Sequence, residues 1–179
     1  MSADDSDTTP YASKGIGGHH APYKGRTDEW LTPRSLVEAL GPFDLDPCAP
    51  LVRPWPTAAL HYTEGDDGLA LPWTGSVWLN PPYGPQTGKW LARGADQGNT
   101  LALVFARTET DAFFRHVWER ADALYFLRGR LTFCTVDGKP AQHNSGGPSV
   151  LVAYGQTMAD RLRAFSLHPG QLVTLRQPL

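Results

Sequence analysis

The run "TLALVFA", residues 100–106, decides the fold class of this chain. It carries no charge and does not alternate between polar and apolar residues, which is typical of a strand covered on both faces. Strands of this kind belong to parallel sheets whose faces are covered by helices. We therefore expect an α/β protein, and the segments on either side of the run give the order of its elements.

Helix patterns alternate with short strands around that run. "TPRSLVEALG" predicts a helix with Thr32 as N-cap and Pro33 at the first helical position. Further helices are expected at about 89–96 and over "DAFFRHVWERA", the latter capped by Thr110 or Thr108. This order predicts a mostly parallel central sheet with helices on both faces. The expected strands lie in "FDLDPC", "AALHYT", "SVWLN", "ALYFLR", "LTFCTV" and "SVLVAYG".

The length of 179 residues predicts a single domain. Residues 1–27 are rich in Gly, Ser, Asp and Thr and are expected to form a flexible leader. We expect the folded domain at 28–168 and a C-terminal tail at 169–179. There is no apolar run of about eighteen residues or more, and the first residues are acidic, so neither a membrane span nor a secretory signal is expected. A cytoplasmic location is the resulting expectation.

The cysteines and histidines do not suggest a metal site. Cys48 and Cys134 lie far apart without a Cys-x-x-Cys spacing, so neither a zinc site nor a disulfide is expected. The pair His19 and His20 lies in the Gly-rich leader, where a mobile tail is the better interpretation. We predict no metal.

The charge of the chain is unevenly distributed. Residues 1–84 hold 5 Lys and Arg against 11 Asp and Glu, a net charge of −6, whereas residues 85–179 hold 11 against 7, a net charge of +4. Such an asymmetry can mark a face that meets phosphate. Scattered, solvated surface charge is an equally good interpretation.

The stretch "VWLNPPYG", residues 77–84, carries the candidate chemistry. Asn80 ends a predicted strand, where open α/β sheets bind ligands. Pro81 and Pro82 fix φ and lack N–H groups, so the carbonyls of Asn80 and Pro81 have no amide competing from those positions. Together with the Asn80 amide oxygen and the Tyr83 ring, they suit a planar substrate with an –NH₂ group, such as a nucleobase. The alternative is a Pro-rich turn with a core tyrosine.

"NPPY" resembles the catalytic tetrapeptide of S-adenosylmethionine-dependent amino-methyltransferases. The order "EWLTP", "FDLDP", "DDGLALPW", "VWLNPPYG", "ARTET", "GRLTF", "SVLVAYG" is similar to the phage-type DNA N6-adenine methyltransferase family, over residues 28 to about 155. The resemblance implies a Rossmann-like methyltransferase fold. It also implies methyl transfer from S-adenosylmethionine to the N6 amine of adenine in DNA, by direct, metal-free displacement on a flipped-out base.

The resemblance also implies roles for single residues. Thr32, followed by Pro33, would hold the carboxylate of the methyl donor, although Thr32 could instead only cap its helix. Asp46, followed by Pro47, would meet the methionine or ribose end of the donor, or else form a turn. Asp66 or Asp67, preferably Asp67, would accept from the donor's adenine amine, with a solvated turn as the alternative. The cradle for the target amine would be Asn80, Pro81, Pro82 and Tyr83.

One departure concerns the donor pocket. Many methyltransferases have a glycine-rich turn after the first acidic residue, whereas this chain has "DPCAPLVRP". Without that turn the backbone is not expected to approach the donor in the usual way.

The expected partner is DNA, held by basic residues of the positive half: Arg107, Arg128, Arg130 and Lys139. The polar segment "VDGKPAQHNSGGPS" is either a recognition loop or an ordinary hairpin, and we expect short or relaxed sequence preference. The alternatives are a methyltransferase of the same fold acting on RNA or on a protein glutamine amide, and a non-catalytic nucleic-acid-binding module. The resemblance also suggests a phage or prophage enzyme that acts in the bacterial host cytoplasm, within a restriction-modification setting.

Overall fold

The computed structural model describes residues 30–175, so the predicted leader at 1–27 and the His19–His20 pair lie outside the described residues. The described part forms one seven-stranded sheet with α-helices packed against it. The strands are β1 Leu45–Asp46, β2 Leu60–His61, β3 Val77–Leu79, β4 Thr100–Phe105, β5 Ala123–Leu127, β6 Ser149–Tyr154 and β7 Gly170–Thr174. The helices are α1 Arg34–Leu40, α2 Thr87–Gln97, α3 Asp111–Phe113 with a π-helical turn Phe114–Trp118 directly after it, and α4 Gln156–Ala164, with a 3₁₀ turn at Glu64–Asp66.

The sheet is mixed and most of its residue pairs are antiparallel, so the prediction of a mostly parallel sheet is wrong. The strand order is β2-β1-β3-β4-β6-β5-β7. Strands β1 to β4 pair in parallel, whereas β6 pairs antiparallel with both β4 and β5, and β7 pairs antiparallel with β5. The longer ladders are the antiparallel ones. The physical reason is the connection between β5 and β6, which contains no helix to carry the chain back for a parallel pairing.

The two faces of the sheet are both covered by helices, as predicted. Alternate residues of β4 point to opposite faces, so Leu101 and Leu103 belong to one core cluster and Ala102 and Val104 to the other. The first cluster contains apolar side chains of α1 and α4, and the second contains those of α2 and the π-helical turn. Complete burial of residues 100–104 follows from this double cover.

The starts of the helices differ in detail from the predictions. Pro33 is the N-cap of α1, and the Thr32 side chain makes no capping bond. Thr110 does cap α3, because its side chain accepts a hydrogen bond from the Phe113 amide. The single helix predicted over 111–121 is divided into a short α-helix and a π-helical turn.

Two segments near the C-terminus also differ from expectation. "LTFCTV" forms no regular strand, and Cys134 makes only isolated bridges with Leu31 and Pro140. Gly170–Thr174, expected to belong to a C-terminal tail, form the edge strand β7. None of the helices within residues 30–175 is both long enough and apolar enough to cross a membrane.

Candidate active site

A cavity of about 570 Å³ lies at the carboxyl ends of β1 and β3. Asp46 is the last residue of β1 and Asn80 follows β3, so the parallel pairing of these strands brings the two side chains to one edge of the sheet. Most of the residues singled out from the sequence line this cavity, namely Thr32, Asp46, Pro47, Asp67, Asn80, Pro81, Pro82 and Tyr83. Pro33 and Asp66 do not.

In the Asn80 side-chain amide the nitrogen is hydrogen-bonded within the described residues, whereas the oxygen is not. Its Nδ2 donates to the Trp30 carbonyl at 3.4 Å. Its Oδ1 is buried and has no hydrogen-bond partner within residues 30–175. The amide oxygen is therefore the atom with acceptor capacity to spare, because a buried acceptor is normally paired.

The backbone after Asn80 offers one free carbonyl rather than the expected two. The Asn80 carbonyl accepts a hydrogen bond from the Cys48 thiol at 3.3 Å, and the Pro82 carbonyl accepts one from Thr87 Oγ1 at 2.9 Å. The Pro81 carbonyl has no partner in the described part of the chain. Since a thiol is a weak donor, the Asn80 carbonyl is only partly engaged.

Tyr83 is not enclosed in the core. Its side chain is 37% exposed and lines the cavity. The ring stacks on Phe105, with centroids 4.3 Å apart and planes at 17°, and meets the Phe133 ring edge-on at 6.4 Å. Partial burial raises the pKa of the phenol, so Tyr83 stays neutral at ordinary pH. Phe105 covers one face of the ring and fixes its orientation.

Asp46 is a buried carboxylate, only 3% exposed. Burial raises its pKa to about 6, against hydrogen bonds from Thr57 Oγ1 and the Cys48 amide and the positive charge of Arg53, which all lower it. Near neutral pH the group is a largely desolvated anion, and such a group favours a cationic or hydroxyl-bearing partner.

Thr32, Asp66 and Asp67 were also predicted to bind the methyl donor, but only two of them lie at the cavity. Thr32 lies at the cavity, where its Oγ1 is buried without a partner among the described residues. Asp66 lies away from it and caps the 3₁₀ turn by accepting from the Thr63 amide and hydroxyl, both at 2.8 Å. Asp67 has a left-handed backbone with φ of 49° and lines the cavity.

Several cavity residues were not identified from the sequence. The proline-rich loop after β1, interpreted only as a connection, contributes Arg53, Trp55 and Thr57. Trp30, Glu64 and Trp90 also line the cavity. The available signal was the occurrence of a tryptophan and an arginine in a loop whose prolines limit its conformations.

The four predicted DNA-binding residues do not share one site. Arg107 is exposed just after β4, two residues beyond Phe105. Arg128 and Arg130 line a second cavity of about 340 Å³, to which Pro33 also belongs. Lys139 forms an exposed ion pair with Asp137 at 2.9 Å.

The polar segment 136–149 touches the candidate site at two points. Gly138 lies against Pro54 and against Trp55 of the cavity wall, where an added Cβ would come within 3.0 Å of both side chains. Gly147 lies against the Phe105 ring, with a contact of 3.5 Å for an added Cβ. The segment therefore borders both the cavity and the stacking partner of Tyr83. Between residues 30 and 175 there is no group of three or more His, Cys, Asp or Glu residues that could hold a metal ion.

A comparison with protein families supplies the deciding observation. The family model described as DNA N-6-adenine-methyltransferase (Dam) matches residues 20–168. The chain belongs to the Dam family. Membership in the Dam family implies methylation of adenine N6 in DNA, and methyltransferases generally use S-adenosylmethionine. Searches of curated proteins and of solved structures found no significant match.

The cavity fits the methyl donor that the Dam family implies. It combines the buried anion of Asp46 with Thr32, whose buried Oγ1 has no partner in the described part. Positive and hydrogen-bonding groups of a ligand would complete these interactions.

Proposed function

We propose that this chain transfers a methyl group from S-adenosylmethionine to the N6 amine of adenine in DNA, by direct displacement on a base swung out of the helix. The observation that carries the proposal is the pair of unengaged acceptors, Asn80 Oδ1 and the Pro81 carbonyl, at the cavity that Tyr83 lines. Membership of the Dam family supports adenine N6 of DNA as the group that receives the methyl group.

The target amine would bind to these acceptors. Two hydrogen bonds from the –NH₂ group to Asn80 Oδ1 and the Pro81 carbonyl keep electron density on the nitrogen as it attacks. The Tyr83 face not covered by Phe105 offers a stacking surface for the adenine ring. Stacking of this kind offsets part of the few kcal/mol needed to unstack the base.

The donor would bind on the β1 side of the cavity. Asp46 and Thr32 hold its methionine end, with Pro47 beside Asp46, and Asp67 accepts from its adenine amine. When bound, the donor supplies an electrophilic methyl group on a positively charged sulfur. Because the methyl group is already activated, alignment by the protein is sufficient, and the proton lost from nitrogen leaves to water after transfer.

The DNA backbone would be held by Arg107 next to the site and by Arg128 and Arg130 at the second cavity, with Lys139 at the edge of segment 136–149. We assign target reading to that segment and expect a short or relaxed site preference. From the resemblance to the phage-type family we also propose that the enzyme is encoded by a phage or prophage, acts in the bacterial host cytoplasm and protects DNA from restriction.

The proposal is tested by offering labelled S-adenosylmethionine with duplex DNA, single-stranded DNA, structured RNA and a glutamine-containing protein. We expect label in N6-methyladenine of DNA, identified by mass spectrometry of nucleosides. Label in RNA or in glutamine would instead show a methyltransferase with another acceptor. Binding to DNA or RNA without label and without donor binding would instead show a non-catalytic nucleic-acid-binding module.

A further inference from the structure

Arg53 is a cavity residue whose charge no acidic side chain neutralises directly. It lies on the loop between β1 and β2 and is half-buried at the wall of the 570 Å³ cavity. Its Nη1 donates to the Pro50 carbonyl at 2.9 Å, which folds the loop back on itself. Within residues 30–175 no carboxylate forms an ion pair with it. The rest of the guanidinium is thus available to an anionic ligand.

Many positions of the loop around Arg53 cannot donate a backbone N–H to such a ligand. Four residues of the loop lack an N–H because they are prolines: Pro47, Pro50, Pro54 and Pro56. The Cys48 amide is bonded to Asp46, and the Ala49 amide to the Tyr62 carbonyl. The amides of Thr57 and Ala58 both donate to His61 Nε2. In the described part of the chain the loop amides without a partner are those of Leu51, Val52, Arg53 and Trp55, and of these residues only Arg53 and Trp55 line the cavity. A glycine-rich turn binds anions through several adjacent free amides, so an anion at this cavity depends mainly on a side-chain donor.

Arg53 and Asp46 present opposite charges to the same cavity. The charge of Arg53 contributes to lowering the pKa of Asp46 against the effect of burial, so the two groups interact electrostatically. Asp46 and Arg53 form no direct ion pair with each other. An α-amino acid group has its ammonium and its carboxylate on one carbon. Such a group can form ion pairs with Asp46 and with Arg53 in the same cavity.

We propose that Arg53 binds the α-carboxylate of the methyl donor while Asp46 binds its α-ammonium, and that this pair replaces the missing glycine-rich turn. Thr32, whose hydroxyl is unpartnered, is a second donor to the same carboxylate. The inference rests on the proposed function, because it names how this cavity recognises the donor.

The test is calorimetric binding of two ligands that differ only in the carboxylate, S-adenosylmethionine and decarboxylated S-adenosylmethionine. We expect the unchanged protein to prefer S-adenosylmethionine by roughly 10- to 100-fold, the range for a charge-assisted hydrogen bond. Arg53→Gln should remove most of that preference while leaving the affinity for the decarboxylated ligand within about threefold. Arg53→Lys should keep part of the preference, because the charge remains without the planar fork.

Two further variants complete the design. Asp46→Asn should weaken both ligands equally, because both keep the ammonium. Arg163→Gln removes an arginine that pairs with Asp160 on α4 and lines neither cavity, so it should change neither affinity.

Other binding results would contradict the role proposed for Arg53 or the proposed function itself. If Arg53→Gln weakens both ligands equally, Arg53 only braces the loop through Pro50, and the inference is wrong. Unchanged affinity for S-adenosylmethionine would also overturn it. If the unchanged protein binds neither ligand, the proposed function itself fails and the inference with it.

Discussion

Unpaired polar atoms give the clearest functional information at the scale of single residues. Thr32 Oγ1 and Asn80 Oδ1 are both buried, and neither has a hydrogen-bond partner within the described residues. Leaving such an atom unpaired costs about 1–3 kcal/mol, so a folded chain tolerates it mainly where a ligand or water completes the bond. Both residues line the one cavity that also contains Asp46, which explains why the cost is concentrated there.

The first prediction concerns the Asn80 amide. Asn80→Ala should reduce methyl transfer by about 100-fold or more, because it removes an acceptor that acts on the nitrogen as it attacks. Donor affinity should stay within several-fold. Asn99→Ala is the matched control, since Asn99 also donates from Nδ2 to a backbone carbonyl but does not line the cavity. Initial rates on DNA and donor calorimetry provide the measurement, and near-normal turnover of Asn80→Ala would mean that the amide is not a catalytic acceptor.

The second prediction concerns the pH dependence that Asp46 imposes on the ligand-free protein. Its pKa rises from 3.8 to about 6 on folding, so the protonated form is favoured in the folded state. The stabilising contribution is complete below about pH 4 and is lost as pH rises through about 6. We expect the free energy of unfolding of the unchanged protein, relative to Asp46→Asn, to fall by about 3 kcal/mol between those limits.

Urea denaturation at several pH values measures this difference. Asp44, Asp66 and Asp137 have lowered pKa values and act in the opposite sense, but they are common to both proteins and cancel in the comparison. A difference that does not change with pH would show that Asp46 titrates normally.

At the scale of elements, two threonines that each precede a helical pattern differ in whether they cap the helix. Thr32 and Thr110 both precede helical patterns, yet Thr110 caps α3 while Thr32 makes no capping bond to α1. The third helix becomes π-helical after Phe113, and the Tyr154 hydroxyl of β6 donates to the His116 carbonyl within that turn. A side chain that bonds to a helix carbonyl competes with the regular i to i−4 pattern.

The third prediction compares these two threonines. Thr110→Ala should lower the free energy of unfolding by about 1 kcal/mol, because it removes a capping acceptor. Thr32→Ala should leave capping unaffected and should weaken donor binding instead. Thermal denaturation and donor calorimetry on both variants separate the effects. The assignment of Thr32 to the donor fails if Thr32→Ala binds the donor normally.

At the scale of the whole molecule, the chain arranges its charges by position in the fold. The acidic groups of the N-terminal half include Asp46 and Asp67 of the cavity, whereas Arg107, Arg128 and Arg130 of the C-terminal half are exposed. Segment 136–149 connects the cavity with Arg130, since it contacts Trp55 of the cavity wall and its Ser145 carbonyl accepts a hydrogen bond from Arg130 at 3.2 Å. We propose that these arginines hold the backbone of a duplex whose base reaches Tyr83.

The fourth prediction is the salt dependence of DNA binding. Replacing Arg107, Arg128 or Arg130 with Gln should reduce the slope of log affinity against log salt by about 0.9 for each DNA phosphate that the variant no longer neutralises. Lys139→Gln should have a smaller effect, because Asp137 already pairs with this lysine. Anisotropy titrations of a labelled duplex at several salt concentrations give the slopes. Equal slopes for all four variants and the unchanged protein would remove these residues from the DNA-binding face.

The sequence by itself determined the features that depend on local chemistry. The apolar run at 100–106 predicted a doubly covered strand, and the prolines at 81 and 82 placed a stiff turn with free acceptor capacity at a strand end. The sequence left Asp66 as an alternative to the preferred Asp67, and the tertiary structure has only Asp67 at the cavity. The tertiary structure alone decided that Arg53 and Trp55 join the cavity and that three of the six strand pairings are antiparallel. These outcomes depend on contacts between residues distant in the chain, and periodicity and local propensity carry no information about such contacts.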